Sequence, residues 1–180
     1  MKIFFILLVL FSNSIFAQFD SRKELITIFM IGNSTMADKP FKDGNPEKGW
    51  GQIFPLYFND GVKIDNHAVN GRSTKSFIDE GRWDVVLNKI KPGDYVIMEF
   101  GHNDAKKDDP KRFADAKTDY RKNLERFVDE TISKGGIPVL ATPIVRRRFD
   151  EQGNFYDVHG DYPNVVREKE LEKNIALLDL

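Results

Sequence analysis

Cysteine is absent from the 180-residue chain. That excludes disulfides, a thiol nucleophile, a zinc–thiolate site and a lipidated N-terminal Cys, so an apolar core alone must hold the fold. An excess of either charge is also lacking: 27 Lys and Arg face 28 Asp and Glu, a formal net charge of −1. Such a balance gives no electrostatic case for nucleic acid or an anionic membrane, and neither is expected as a partner. There is no Gly-rich phosphate loop ending in Lys, no G-x-G-x-x-G and no His/Glu pairing at metal-ligand spacing. No cofactor and no metal are therefore expected. Internal repeats and low-complexity tracts are missing, which argues against solenoids and linkers. Missing too is a run of the ~20 apolar residues that a spanning helix needs.

The longest apolar run, Ile3 to Phe11, follows Lys2 and gives way to the more polar Ser12-Asn13-Ser14-Ile15-Phe16-Ala17. This is the pattern of a secretory leader, with cleavage expected between Ala17 and Gln18. Residues 1–17 are thus assigned to a signal peptide and 18–180 to one domain, a usual size for a single core. A secreted or periplasmic monomer is expected. The hydrophobic fraction of 41% suffices for a buried core.

Strand-like and helix-like stretches alternate along the rest. Short apolar runs occur at residues 25–31, 62–67, 94–100, 137–142 and 175–180, several of them opened by turn residues: Asn59-Asp60-Gly61, Pro92-Gly93 and Gly135-Gly136. Runs of this kind fit strands buried on both faces of a parallel sheet. Tyr120, Leu124, Phe127, Val128 and Ile132 form a helical stripe within residues 115–134. Trp83, Val86, Leu87 and Ile90 mark a shorter helix, and Pro163 suits the first turn of another over residues 162–174. The alternation predicts an α/β fold, a three-layer α/β/α domain on a five-stranded, mostly parallel sheet. Ligands of such sheets bind beyond the carboxyl ends of the strands, where the winding reverses.

The loops at those ends carry the candidate chemistry. After the first strand comes Gly32-Asn33-Ser34-Thr35-Met36-Ala37, where a Ser on a tight turn either presents a nucleophilic hydroxyl or caps a helix. After the second comes Asn66-His67-Ala68-Val69-Asn70-Gly71-Arg72-Ser73-Thr74, in which Asn70-Gly71 signals a turn. After the third comes Phe100-Gly101-His102-Asn103-Asp104, where Asn103 either offers an amide donor or caps the next segment. Asp104, Asp108 and Asp109 read as a solvated acidic loop offset by Lys106 and Lys107 rather than as a calcium site.

Taken in this order and spacing, the three loops resemble those of the SGNH (GDSL-like) hydrolases, most closely the rhamnogalacturonan acetylesterase branch. The matching pieces are Ile31 to Ala37, Asn70 to Ser73 and Phe100 to Asp104, with His159-Gly160-Asp161-Tyr162-Pro163 also similar. The resemblance runs from about Ile26 to Leu180. It implies a flavodoxin-like fold and a serine esterase acting on an acetylated plant cell-wall polysaccharide or oligosaccharide. Ser34 would be the nucleophile, and its N–H, the N–H of Gly71 and the side chain of Asn103 the oxyanion donors. Arg72 and Trp50 are candidate substrate contacts, with a structural role as the alternative for both.

Two departures accompany the resemblance. Family members usually carry Asp where this chain has Asn33. The family's general base is a His in a D-x-x-H block after the fifth strand, and no such block occurs in the 180 residues. The resemblance therefore implies that the base and a final helix lie beyond Leu180, and that the chain by itself is inactive or very weak. His67 reads as a core histidine, His102 as a residue orienting the third loop, and His159, with Asp157 two residues before it, as the one to test as a substitute base. The alternatives are a non-catalytic carbohydrate-binding remnant or an esterase for another acetylated glycan.

Overall fold

The computed structural model describes residues 25–42 and 44–180; the expected leader and its cleavage point lie outside them. Five strands, β1 (Ile26–Gly32), β2 (Val62–Asn66), β3 (Tyr95–Glu99), β4 (Ile137–Ala141) and β5 (Ala176–Leu178), form one sheet in the order β2-β1-β3-β4-β5. Every pairing is parallel. The expected α/β fold with a five-stranded parallel sheet is thus observed. The winding reverses between β1 and β3, where Met30 pairs with Ile97 and Gly32 with Glu99. The crevice at that switch point is the expected ligand position.

Side-chain alternation divides the core in two. Phe29 and Ile31 of β1, Val96 and Met98 of β3 and Leu140 of β4 face one side. There they meet Phe77, Trp83, Phe127, Tyr120 and Val166, all buried. These come from α2 (Thr74–Asp79), α3 (Arg82–Leu87), a π-helical turn (Ala116–Tyr120), α4 (Arg121–Ser133) and α5 (Tyr162–Lys173). Ile28, Met30 and Ile97 face the other side and pack with Met36. Their cover is lighter: Trp50, Phe54 and Phe58, from α1 (Trp50–Ile53), a 3-10 turn (Phe54–Tyr57) and the residue after it.

Several boundaries differ from the sequence reading. The helix expected over residues 115–134 opens as the π turn before becoming α4, with Asp115 capping the amide of Lys117. The helix around Trp83 stops at Leu87 rather than near Ile90. Helix α5 ends at Lys173, where Asn174 takes a left-handed conformation. The fifth strand shrinks to three residues. Helices α1 and α2 were not anticipated: the first has four residues, and the second is set by a reciprocal Ser73–Ser76 capping box rather than by an apolar stripe.

Candidate active site

Three loops converge at the carboxyl ends of β1, β2 and β3. The first is a turn rather than a helix start: Met36 and Ala37 donate to the Asn33 carbonyl, and the amide of Thr35 donates to Asn33 Oδ1 at 3.1 Å. No helix follows until Trp50, so the capping role for Ser34 is not observed. The segment Gly49-Trp50-Gly51 clamps this turn, with Trp50 N–H on Thr35 O at 2.9 Å and Gly51 N–H on Met36 O at 3.1 Å. So close an approach requires glycine at both flanks. A Cβ on Gly49 would stand 2.0 Å from Ala37 O, and one on Gly51 2.6 Å from Met36 O.

Beneath the turn, at the end of β3, lies Glu99, fully buried. Its carboxyl meets the Thr35 hydroxyl at 2.5 Å and the Trp50 indole N–H at 2.6 Å. Burial pushes the Glu99 carboxyl above the usual carboxylate range; the hydrogen bonds from Thr35, Trp50 and the Ile144 backbone, with the nearby His159, act in the opposite sense. Trp50, a candidate sugar contact, therefore has its polar edge committed inside the protein.

The second loop reaches Gly71 in a left-handed conformation, φ 76°. Buried Lys39 ties it to the first: its ammonium donates to Asn70 Oδ1 at 2.7 Å and pairs with Glu47 at 3.0 Å. Arg72 is occupied by Glu80 at 3.1 Å and by the Asn70 carbonyl at 3.0 Å. Its own carbonyl accepts a hydrogen bond from the buried Asn103 side-chain amide at 3.0 Å, joining loops two and three.

Asp104 fixes the third loop. It is fully buried, not part of a solvated acidic loop, and accepts from Thr74 N–H (2.8 Å), Thr74 Oγ1–H (2.5 Å) and Gly101 N–H (3.0 Å). Burial nonetheless lifts its pKa to about 7, against those bonds. The result places Ser34, Gly71 and Asn103 on three tethered loops at one end of the sheet. Among the described residues, the backbone N–H groups of Ser34 and Gly71 donate to no protein acceptor, and Asn103 spends one of its two amide hydrogens. Three N–H groups at this end of the sheet are thus left without a protein acceptor among the described residues.

The histidines sit elsewhere. His67 lies just past β2, half-buried rather than in the core, 3.2 Å from Asp65 and from Lys89 Nζ. His102 bonds the Ile144 carbonyl at 2.8 Å, which orients its loop as expected. Burial holds its imidazole down at about 4 and so neutral, helped by the charges of His159, Arg146 and Lys106, while the Ile144 bond acts the other way. His159 is buried, donates Nδ1–H to Asp157 Oδ1 at 2.6 Å and stacks on His102 at 4.7 Å between centroids. The Asp157–His159 pair has the orientation of a base dyad, yet its Nε2 touches no polar partner, and no imidazole bonds the Ser34 hydroxyl among the described residues. Sequence reasoning missed Lys39, Glu99 and Asp104 as residues that shape the site. A carboxylate closing an apolar strand was the available signal for Glu99.

Residues 30–180 match the model of the GDSL-like Lipase/Acylhydrolase family. The chain is 38% identical to the rhamnogalacturonan acetylesterase RhgT of Bacillus subtilis over 88% of its own length and 66% of that protein's. It is 33% identical to the probable rhamnogalacturonan acetylesterase YesY of the same organism, covering 85% of this chain and 69% of YesY. The crystal structure of YxiM from Bacillus subtilis superposes with a TM-score of 0.75 at 25% identity, over 86% of this chain and 43% of that one. An acetyl xylan esterase of Geobacillus stearothermophilus shares the fold, with a TM-score of 0.61 at 18% identity over 87% and 78% of the two chains. The chain spans about two thirds of the first relative's length and under half of the YxiM chain. Sequence and fold together make this chain a member of the GDSL-like lipase/acylhydrolase family.

Proposed function

We propose that the chain carries the nucleophile and oxyanion machinery of a secreted serine carboxylic-ester hydrolase that removes O-acetyl groups from a pectin-type polysaccharide. Ser34 attacks the acetyl carbonyl, and the N–H groups of Ser34 and Gly71 with the Asn103 amide hold the oxyanion. One observation carries this reading: three loops tied together by Lys39, Asn103 and Asp104 leave those three donors free at the switch point of the sheet. Each such donor is worth roughly 10²–10³ in rate. Similarity to RhgT and YesY supports the acetylated pectic substrate.

A general base is the missing partner, because no imidazole reaches Ser34 among the described residues. Loss of a triad histidine costs on the order of 10⁶ in turnover, so the 180-residue chain should release acetate only slowly. The same observation favours the second reading, a sugar-binding chain without turnover. The test is acetate release from acetylated rhamnogalacturonan by the chain and by its Ser34→Ala variant. A slow rate abolished in the variant supports the esterase. Equal rates in both remove Ser34 as nucleophile, and sugar binding with no acetate from either favours the second reading.

A further inference from the structure

A buried cation joins the first two loops of the site. The Lys39 side chain is 2% exposed, and its place is fixed from the backbone. Lys39 N–H donates to Gln52 Oε1 at 3.1 Å, and its carbonyl accepts from Gln52 Nε2 at 3.0 Å. The ammonium meets Glu47 at 3.0 Å, but that carboxylate's side chain is 66% exposed. The shorter contact points inward, 2.7 Å to Asn70 Oδ1. A buried ammonium costs free energy unless it is paired and hydrogen-bonded, and a carboxylate standing in water is a screened partner. An exposed lysine would form the Glu47 pair at less cost. What burial gains is the bond to Asn70.

Asn70 opens the peptide whose N–H belongs to Gly71. Gly71 holds φ 76°, and its N–H donates to no protein acceptor among the described residues. The carbonyl of the same peptide, Asn70 O, accepts from Arg72 Nη1 at 3.0 Å, and that guanidinium also pairs with Glu80. One peptide is thus gripped through its side chain by Lys39 and at its carbonyl by Arg72. A donor on the carbonyl polarises the peptide and strengthens its N–H. The Arg72 bond is local, whereas the Lys39 bond crosses from the loop that bears Ser34 to the loop that bears Gly71. It therefore sets the spacing on which attack and oxyanion capture at one carbonyl both depend.

We propose that Lys39 is a positioning residue of the oxyanion site: by holding Asn70 it fixes the Gly71 N–H relative to the Ser34 turn, with a positive charge behind that donor. It acts through Asn70 and not on the substrate. The assignment rests on the esterase reading above and adds to it the residue that joins two of the three donors.

Release of p-nitrophenol from p-nitrophenyl acetate by the 180-residue chain tests it, at a temperature where circular dichroism shows every variant folded. Lys39→Met keeps an unbranched stem and removes the charge. It should lower kcat about tenfold to hundredfold with KM unchanged, less than a donor lost outright. Asn70→Ala, which leaves Lys39 paired with Glu47, should lower kcat by a similar factor. The double variant should be no slower than the slower single one, because both cut the same tie. Lys75→Met, which breaks an exposed ion pair with Asp79, should leave both constants unchanged. A lower thermal midpoint with native kcat in Lys39→Met makes Lys39 a structural residue and overturns the proposal. So does a raised KM with native kcat, and so do factors that multiply in the double variant. If Lys39→Met does not fold, Asn70→Ala decides alone: a native kcat overturns the proposal, and a lowered kcat at native KM supports it. Turnover no faster than that of Ser34→Ala overturns the esterase reading and the proposal together, whereas Ser34-dependent turnover untouched by either variant overturns the proposal alone.

Discussion

Asp104 offers the sharpest test of how the loops are held. Its two oxygens receive three donors, Oδ1 from Thr74 twice and Oδ2 from Gly101. In Asp104→Asn the remaining oxygen keeps the Thr74 bonds, but the amide NH₂ then faces the Gly101 N–H, donor against donor. One buried unsatisfied donor costs about 1–3 kcal/mol, or a fall of several degrees in midpoint for a domain of this size. The penalty should also depend on pH. With a folded pKa of about 7 against an unfolded value near 3.9, the native state holds a proton that the unfolded chain has released. The stability gained from that proton is full below the unfolded pKa and is lost as pH rises through 7, by about 4 kcal/mol at most. The variant has no proton to lose, so its deficit relative to the native chain should be larger at pH 4.5 than at pH 8. Urea unfolding of both proteins at the two pH values measures the difference directly, and other titrating groups cancel. An equal deficit at both would refute the claim that burial keeps Asp104 protonated; no deficit at either would refute its role as the joint between loops two and three.

Other substitutions separate the remaining contacts. Glu99→Gln should be nearly neutral, within about 1 kcal/mol, because the amide can donate to Thr35 Oγ1 and accept from Trp50; Glu99→Ala should cost about 3 kcal/mol by leaving the Trp50 indole N–H unpaired and opening a cavity beneath Thr35, as chemical denaturation would show. Trp50→Phe should cost about 1–2 kcal/mol through the lost indole bond, and a calorimetric titration showing unchanged sugar affinity would place Trp50 outside the substrate contacts. Gly71→Ala should lose about 1 kcal/mol from the left-handed backbone alone, since its Cβ would meet only Arg112 Nη1 at an ordinary 3.6 Å; a much larger drop in midpoint would point to a hidden clash. Asn33→Asp should destabilise more at pH 7 than at pH 4.5, because a second carboxyl would then share Thr35 with Glu99 and face the Glu99 carbonyl where Asn33 now donates at 3.5 Å.

What the sequence displays and what it hides divide along a physical line. Strands β1 and β3 are apolar runs followed at once by Gly32-Asn33-Ser34 and Gly101-His102-Asn103, so both the sheet and its working end are visible in the order of residues. Helix α2 holds only Phe77 and Ile78 as large apolar residues, too few for a period, and its start depends on the Ser73–Ser76 exchange. Helix α1 is a single turn fixed by contact with the Ser34 loop rather than by its own pattern. The ties that set the site join Trp50 to Glu99, Thr74 to Asp104 and Lys39 to Asn70, pairs distant in sequence that meet only once the sheet order is known. The same holds for Lys106 and Arg146, brought to one cavity because β4 lies beside β3.

These ties also set the sign of the site. An oxyanion is stabilised least where carboxylates surround it, and this end of the sheet buries two, Glu99 and Asp104. Burial raises both, Asp104 to about 7, which opposes the build-up of negative charge beneath the loops while their oxygens still accept hydrogen bonds. Asn33, standing where the family resemblance implies Asp, removes a third charge while its Oδ1 still accepts from the Thr35 amide and hydroxyl. Thr35 has one hydroxyl hydrogen and two neighbours that seek it, Asn33 Oδ1 at 2.9 Å and Glu99 Oε1 at 2.5 Å. The Thr35 hydroxyl thus sits between the two acceptors and ties the Glu99 carboxyl to the Asn33 side chain. This network holds the turn that bears Ser34.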